Sequence, residues 1–298
     1  MLRKRVQKEL TRCNFELGLL LVLRVGEPSQ RYRLRAPDNP NPPSRVLTPK
    51  TGTPTPTRRG CGLNIIRYKR ISSTNTKAKT LAEKGAADWT VLVSKVQTQG
   101  RGRSGRSWKS PKGGLWFSLI IRPKIPIERI PLLQFWVANT LRKGIEEAYG
   151  IPSNVKWPND LVVDWKKLAG ILIETKISGP ELVYAIAGIG LNVNLTSEEL
   201  PTGATSIFLA RKKRFSLEKT LSSILTVLEG HSKTLSDEKA VVVDWWEHCA
   251  HREKPVIIDT GNSRVRGKCV GVTPDGNIII QTDQGNLTIP DGTLRLDA

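Results

Sequence analysis

The sequence predicts an α+β protein, a mixed sheet flanked by helices and followed by a small C-terminal β-barrel. Three observations predict it. From residue 63 onward, apolar runs of strand length alternate with segments of helical period. Polar, glycine-containing stretches at 97–108, 156–170 and 187–194 sit at the ends of those runs. Beyond Pro255 the pattern changes to closely spaced short strands separated by Asp-Gly and Gln-Gly turns.

Each element follows from local chemistry. Residues 63–68 suit a strand, and Ser72-Ser73-Thr74-Asn75 offers hydroxyls and an amide ahead of a short helix that stops at Gly85. Residues 89–96 and 115–122 are strands entering and leaving a basic loop. Leu133, Trp136, Val137, Leu141 and Ile145 recur at helical spacing within 131–149, with Gly150 as the stop, so that helix packs on the sheet. The runs 161–163 and 167–174 flank the turn Asp164-Trp165-Lys166 and form a hairpin; a further strand, begun near Leu182, ends in Gly188-Ile189-Gly190-Leu191-Asn192-Val193-Asn194. Ser216 caps a helix whose Leu217, Leu221, Ile224, Leu225 and Leu228 make one apolar face. Another helix covers 241–250, with Trp245 and Trp246 buried or half buried. Short strands at 256–259, 264–272, 278–282, 287–289 and 294–296 complete the barrel, with turns at Asp275-Gly276, Gln284-Gly285 and Asp291-Gly292.

Charge narrows the function classes. The 298 residues carry 47 Lys and Arg against 27 Asp and Glu, a net charge of +20, which suits nucleic acid, an anionic membrane or an acidic substrate. Residues 1–60 hold 13 of the bases and only 4 of the acids. They are rich in Pro, Thr and Arg and read as a mostly disordered extension, either a transit peptide or an electrostatic arm, or else a dispensable tail or a start codon assigned too far upstream. The tryptophans are not interleaved with basic residues along one groove and no recognition helix is legible, which speaks against nucleic acid. The apolar run 17–23 is far too short to span a membrane. Cys13, Cys61, Cys249 and Cys269 are widely spaced, which fits a reducing compartment and neither a disulfide framework nor a zinc motif. His248, Cys249 and His251 lie close together but have no second ligand cluster, and read as structural. Cytoplasmic location is the expectation.

The densest chemistry lies in Gln97-Thr98-Gln99-Gly100-Arg101-Gly102-Arg103-Ser104-Gly105-Arg106-Ser107-Trp108. Its glycines let backbone amides approach a ligand, and its guanidinium forks suit phosphate or carboxylate. The spacing satisfies G-x-G-x-x-G, but Pro111 and two glycines follow where a dinucleotide site needs a helix. Lys156, Asn159 and Asp160 crowd a Pro-containing bend, and Lys167 opens a strand as either an edge charge or a cation aimed into a site.

Taken in order, Ser73-Thr74-Asn75, the Gly100–Arg106 loop, Lys156-Trp157-Pro158-Asn159-Asp160, Lys167-Leu168-Ala169-Gly170 and Gly188-Ile189-Gly190-Leu191-Asn192 resemble the biotin protein ligases, in a form without an N-terminal DNA-binding domain. The resemblance runs from about Leu63 to the C-terminus and departs at Ser104, where many relatives have Arg, and at Gln99, where many have a small residue. It implies a class II synthetase-like biotin/lipoate ligase catalytic domain over 61–253 and an SH3-like barrel over 254–298. It also implies that biotin and ATP, with Mg²⁺, give biotinyl-AMP, and that the acyl group passes to a lysine of a biotin carboxyl carrier domain of acetyl-CoA carboxylase or a related carboxylase. A homodimer is compatible with it, a repressor role is not expected, and a lipoate-type ligase of the same fold is the alternative enzyme. By resemblance, Arg101, Arg103 and Lys167 are catalytic. Biotin falls to Ser73, Thr74, Asn75, Gln97, Gly100, Arg101, Gly102, Arg103, Lys167 and Gly170. ATP falls to Arg103, Arg106, Trp108, Lys156, Asn159, Asp160, Asn192 and Arg295. The 100–114 loop is expected to close over the acyl-adenylate and keep water out.

Overall fold

Strand β1 (Asn64–Tyr68) leads through the Ser73 cap into α1 (Thr74–Glu83). The computed structural model describes residues 63–297; the expectations placed on 1–60 and on Cys13 and Cys61 lie outside the described residues. Strands β2 (Thr90–Ser94) and β3 (Leu115–Ile121) bracket the basic loop. Helix α2 (Leu132–Tyr149) ends at Gly150, whose left-handed φ of 58° a side chain would disfavour. Then come β4 (Asn154–Lys156), β5 (Asp160–Val163), β6 (Lys166–Ser178) and β7 (Glu181–Leu191). Helices α3 (Ile207–Arg211), α4 (Leu217–Gly230) and α5 (Glu238–Glu247) follow, and β8 (Pro255–Asp259), β9 (Arg264–Val272), β10 (Ile278–Thr282), β11 (Gly285–Ile289) and β12 (Thr293–Leu296) close the chain.

The first seven strands form one mixed sheet in the order β1-β2-β3-β7-β6-β5-β4, in which the β1–β2 pair is parallel and the other pairs are antiparallel. The last five form an antiparallel sheet in the order β11-β10-β9-β8-β12, compatible with an SH3-like barrel.

Side chains alternate across the large sheet with the strand period of two. Leu115, Phe117, Leu119 and Ile121 of β3 join Ala185, Ala187, Ile189 and Leu191 of β7 and the apolar faces of α2, α4 and α5 in one buried cluster. On the opposite face Ile120, Tyr184 and Ile186 pack against Ala78 and Ala82 of α1. Val256, Ile258, Cys269, Ile278 and Leu294 from the C-terminal sheet belong to the larger cluster, so the core runs on past residue 254. At one end of the α1 face the apolar side chains give way to Ser118, Gly188, Gly190 and Gly170, and there the surface becomes concave. No helix among the described residues is long and apolar enough to cross a membrane.

Candidate active site

The basic loop is a tight antiparallel strap. Trp108 N–H donates to Gly100 O at 2.8 Å and Gly102 N–H to Arg106 O at 2.7 Å, with a single 3-10 turn, Arg103–Gly105, at the tip. Residue 100 must be glycine for this, because a Cβ there would lie 2.3 Å from the Trp108 carbonyl oxygen. The tip leans on the C-terminal sheet: Arg103 pairs with Asp291, and an Arg106 N–H donates to Thr293 Oγ1 at 2.9 Å.

Beneath the strap lies a cavity of about 650 Å³ lined by residues from both sheets. Its floor is largely main chain. A Cβ at Gly188 would fall 2.0 Å from Asn75 Oδ1, and one at Gly190 would fall 2.5 Å from the Trp108 indole. The indole therefore lies directly on the strands, edge-on to Trp116 at a centroid distance of 6.3 Å.

One wall is neutral and buried. Ser73 caps α1 through Thr76 N–H, which turns Thr74 and Asn75 inward. Thr74 N–H and Oγ1–H both donate to Gln97 Oε1, at 2.8 and 3.0 Å, and Gln97 Nε2 donates to Ser110 Oγ at 2.8 Å. Ser118, fully buried in β3, lies 2.7 Å from Thr74 Oγ1 and 2.6 Å from Asn75 Oδ1. Asn75 Nδ2 donates to Glu174 at 2.8 Å.

The other wall is ionic. Arg101 reaches Glu174 Oε1 at 2.9 Å, and Lys167 Nζ lies 2.6 Å from Asp160 Oδ1 and 4.9 Å from the Trp108 ring centroid. Burial pulls the Lys156 ammonium below the usual lysine range, with Asp160 opposing the shift and Lys167 adding to it. Asn159 lines the cavity while its Nδ2 donates to Ile171 O at 2.9 Å. Arg295 enters from β12. Such a site can neutralise a polyanion at one end and recognise a compact polar head at the other.

The structure thus brings Ser73, Thr74, Asn75, Gln97, Arg101, Gly102, Arg103, Arg106, Trp108, Lys156, Asn159, Asp160, Lys167, Gly170 and Arg295 to one cavity. Two residues nominated from the sequence are not among its lining residues. Gly100 serves the strap's own packing. Asn192 is buried, with its amide N–H groups donating to Thr205 O at 3.0 Å and Lys167 O at 3.4 Å, so it ties loops together. Sequence reasoning missed Ser118, Glu174, Asp291 and Thr293. A lone serine inside the apolar run Leu-Trp-Phe-Ser-Leu-Ile-Ile was the signal available for the first.

Comparison with known proteins agrees with this geometry. Residues 68–192 match the model of the biotin/lipoate A/B protein ligase family. Among curated proteins, the bifunctional ligase/repressor BirA of Bacillus spizizenii is 33% identical over 231 residues, 75% of this chain and 71% of that protein. The biotin--[acetyl-CoA-carboxylase] ligase of Paracoccus denitrificans is 28% identical over 230 residues, covering 74% of this chain and 95% of that protein. Among solved structures, the biotin protein ligase from Aquifex aeolicus in complex with biotin and ATP superposes with a TM-score of 0.67 at 29% identity, covering 78% of this chain and 99% of that one. The chain belongs to the biotin/lipoate A/B protein ligase family.

Proposed function

We propose that this protein activates biotin with ATP to biotinyl-5′-AMP and pyrophosphate, then transfers the biotinyl group to a lysine on the biotin carboxyl carrier domain of acetyl-CoA carboxylase or a related carboxylase. The observation that carries this reading is the shared cavity, in which a basic strap and the Lys167 ammonium face a neutral hydrogen-bonding wall. The two walls divide the work. Ser73, Thr74, Asn75 and Gln97, with the backbone at Gly170, hold biotin's ureido head. Arg106, Trp108, Lys156, Asn159, Asp160 and Arg295 flank the nucleotide, and Mg²⁺ enters with it as MgATP.

In the first step a biotin carboxylate oxygen attacks the α-phosphorus, the bond to the bridging oxygen breaks, and pyrophosphate departs. Two anions must meet for this to happen. Arg101, Arg103 and Lys167 offset their repulsion and hold them in line. In the second step the carrier lysine, arriving as a free amine, attacks the acyl carbonyl; the amide bond forms, the mixed-anhydride C–O bond breaks, AMP leaves, and the amine's surplus proton passes to solvent. Closure of the strap over the intermediate keeps water from competing with the lysine.

Lipoate is the weaker substrate reading, because its dithiolane ring offers no N–H or C=O to the Thr74–Gln97 wall. The test is to incubate the protein with MgATP, a carrier domain and either biotin or lipoate, and to follow the carrier by intact mass. Modification of one lysine with biotin and none with lipoate is expected. A carrier left unmodified by biotin, or modified by lipoate alone, overturns the proposal.

A further inference from the structure

Behind the bend carrying Lys156, Asn159 and Asp160 lies a buried cluster that the proposed chemistry does not use. Strand β4 runs beside the segment that follows α5: Val155 N–H donates to His248 O at 2.9 Å, and Ala250 N–H donates to Val155 O at 2.8 Å. The next donor in that direction, Trp157 N–H just past the end of β4, takes no backbone carbonyl. It donates instead to His251 Nε2 at 2.9 Å, so an imidazole completes the ladder. The Trp157 indole N–H is held in turn by Gly276 O at 3.0 Å. Both side chains are essentially sealed from water.

The imidazole also meets two thiols from different elements, and one of them, Cys249 Sγ, lies 3.7 Å from Nε2 as well. His251 Nδ1 lies 3.1 Å from Cys249 Sγ and 3.3 Å from Cys269 Sγ of β9. Three such ligand atoms within 4.8 Å of one another could hold a metal ion. The proton arrangement argues otherwise. Because Nε2 accepts from Trp157, the ring proton sits on Nδ1, where Cys269 Sγ is within reach as its acceptor and Cys249 Sγ lies beside the ring. Metal ligation through Nδ1 would move that proton to Nε2, where it would oppose the Trp157 N–H, whereas a ligating histidine ordinarily donates its second N–H to an acceptor.

We infer that His251 is a positioning residue for the nucleotide end of the site: the thiols of Cys249 and Cys269 fix its Nδ1–H tautomer so that Nε2 anchors the Trp157 backbone, and with it Lys156, Asn159 and Asp160. This rests on the nucleotide assignment of those three residues. Asparagine at 251 reaches the Nδ1 position only, while glutamine can place an acceptor near Nε2.

His251→Asn should raise KM for ATP about tenfold and leave KM for biotin within about twofold, because a displaced bend misaligns only the nucleotide. His251→Gln should recover most of the loss. The double variant Cys249→Ser, Cys269→Ser, which keeps acceptors for Nδ1–H, should bind ATP as the parent does. An unchanged KM for ATP in His251→Asn, or equal rises for ATP and biotin, overturns the inference. A readout on the unmodified protein needs neither folding of a variant nor turnover. Nitrogen-15 shifts of its three histidines should show one ring with a protonated Nδ1 and a bare Nε2 coupled to the Trp157 amide; the reverse tautomer, or one tightly bound metal ion per chain in a native mass spectrum, overturns it. If this tautomer is found but biotin never reaches a carrier domain, the ligase reading fails and the anchoring of Trp157 stands.

Discussion

At the Thr74 end of the cavity the polar groups are neutral, largely buried and bonded mostly to one another, whereas at the Arg101 end they are charged, partly exposed and paired with carboxylates. Ser118 is fully buried, while the Arg101 side chain is 49% exposed. The difference separates two ways of meeting a ligand. A buried network holds its shape before the ligand arrives, because leaving any member unpaired costs about 1–3 kcal/mol. Ion pairs that water can reach are each worth about 0–1 kcal/mol, so a polyphosphate can take the place of Asp160 or Asp291 at little expense, while Glu174 stays tied to Asn75. One end is rigid by construction and the other is held shut by exchangeable contacts.

The largest expected effect tests the ionic end. Lys167→Ala should slow biotinyl-AMP formation by at least about a hundredfold, the scale of losing one charge-stabilising donor, with the melting temperature almost unchanged. Pyrophosphate release and a thermal scan report the two separately; a collapsed melting curve with normal turnover would break the comparison by making the lysine structural. Next comes the neutral end. Ser118→Ala removes the one hydroxyl proton shared between two buried oxygens, Thr74 Oγ1 and Asn75 Oδ1, so it should cost about 1–3 kcal/mol in urea unfolding and raise KM for biotin while leaving KM for ATP alone. The smallest effect on stability sharpens the contrast. Asp291→Ala should change unfolding by no more than about 0.5 kcal/mol, yet trypsin should cut faster after Arg103 in the ligand-free protein, and biotin with ATP should slow that cut again. Equal cleavage in parent and variant would show that the C-terminal sheet does not restrain the strap.

The sequence disclosed one side of this arrangement better than the other. Glycines and arginines packed into Gly100–Arg106 announce an anion-gripping loop, because few structural needs call for both at that density. Helix α2 was legible from its period and its Gly150 stop, and the hairpin of β5 and β6 from two apolar runs around a charged turn. Partners that come together only through the sheet order were not. Glu174 looks like one more polar residue on a long strand until β6 is laid beside β7 and α1 above both. The pairing of the strap with Asp291 joins residues 188 positions apart. Asn192 shows the same limit: a polar side chain among glycines resembles a ligand contact, and only the fold reveals the backbone carbonyls of Lys167 and Thr205 that take its N–H groups. Cys269 likewise sits in an ordinary strand until folding sets it against His251.

The floor of glycines carries a consequence for how such a site can diverge. Where a recognition surface is made of side chains, exchanging one residue for another of different size redraws it by degrees. Here Gly170, Gly188 and Gly190 admit no such gradation, since the smallest available addition at each already collides with an indole or an amide. Descendants of this protein that accept a different acid would therefore be remodelled from the sides, at positions such as Thr74, Gln97 and Leu172, while the floor beneath Trp108 and Asn75 passes on unaltered.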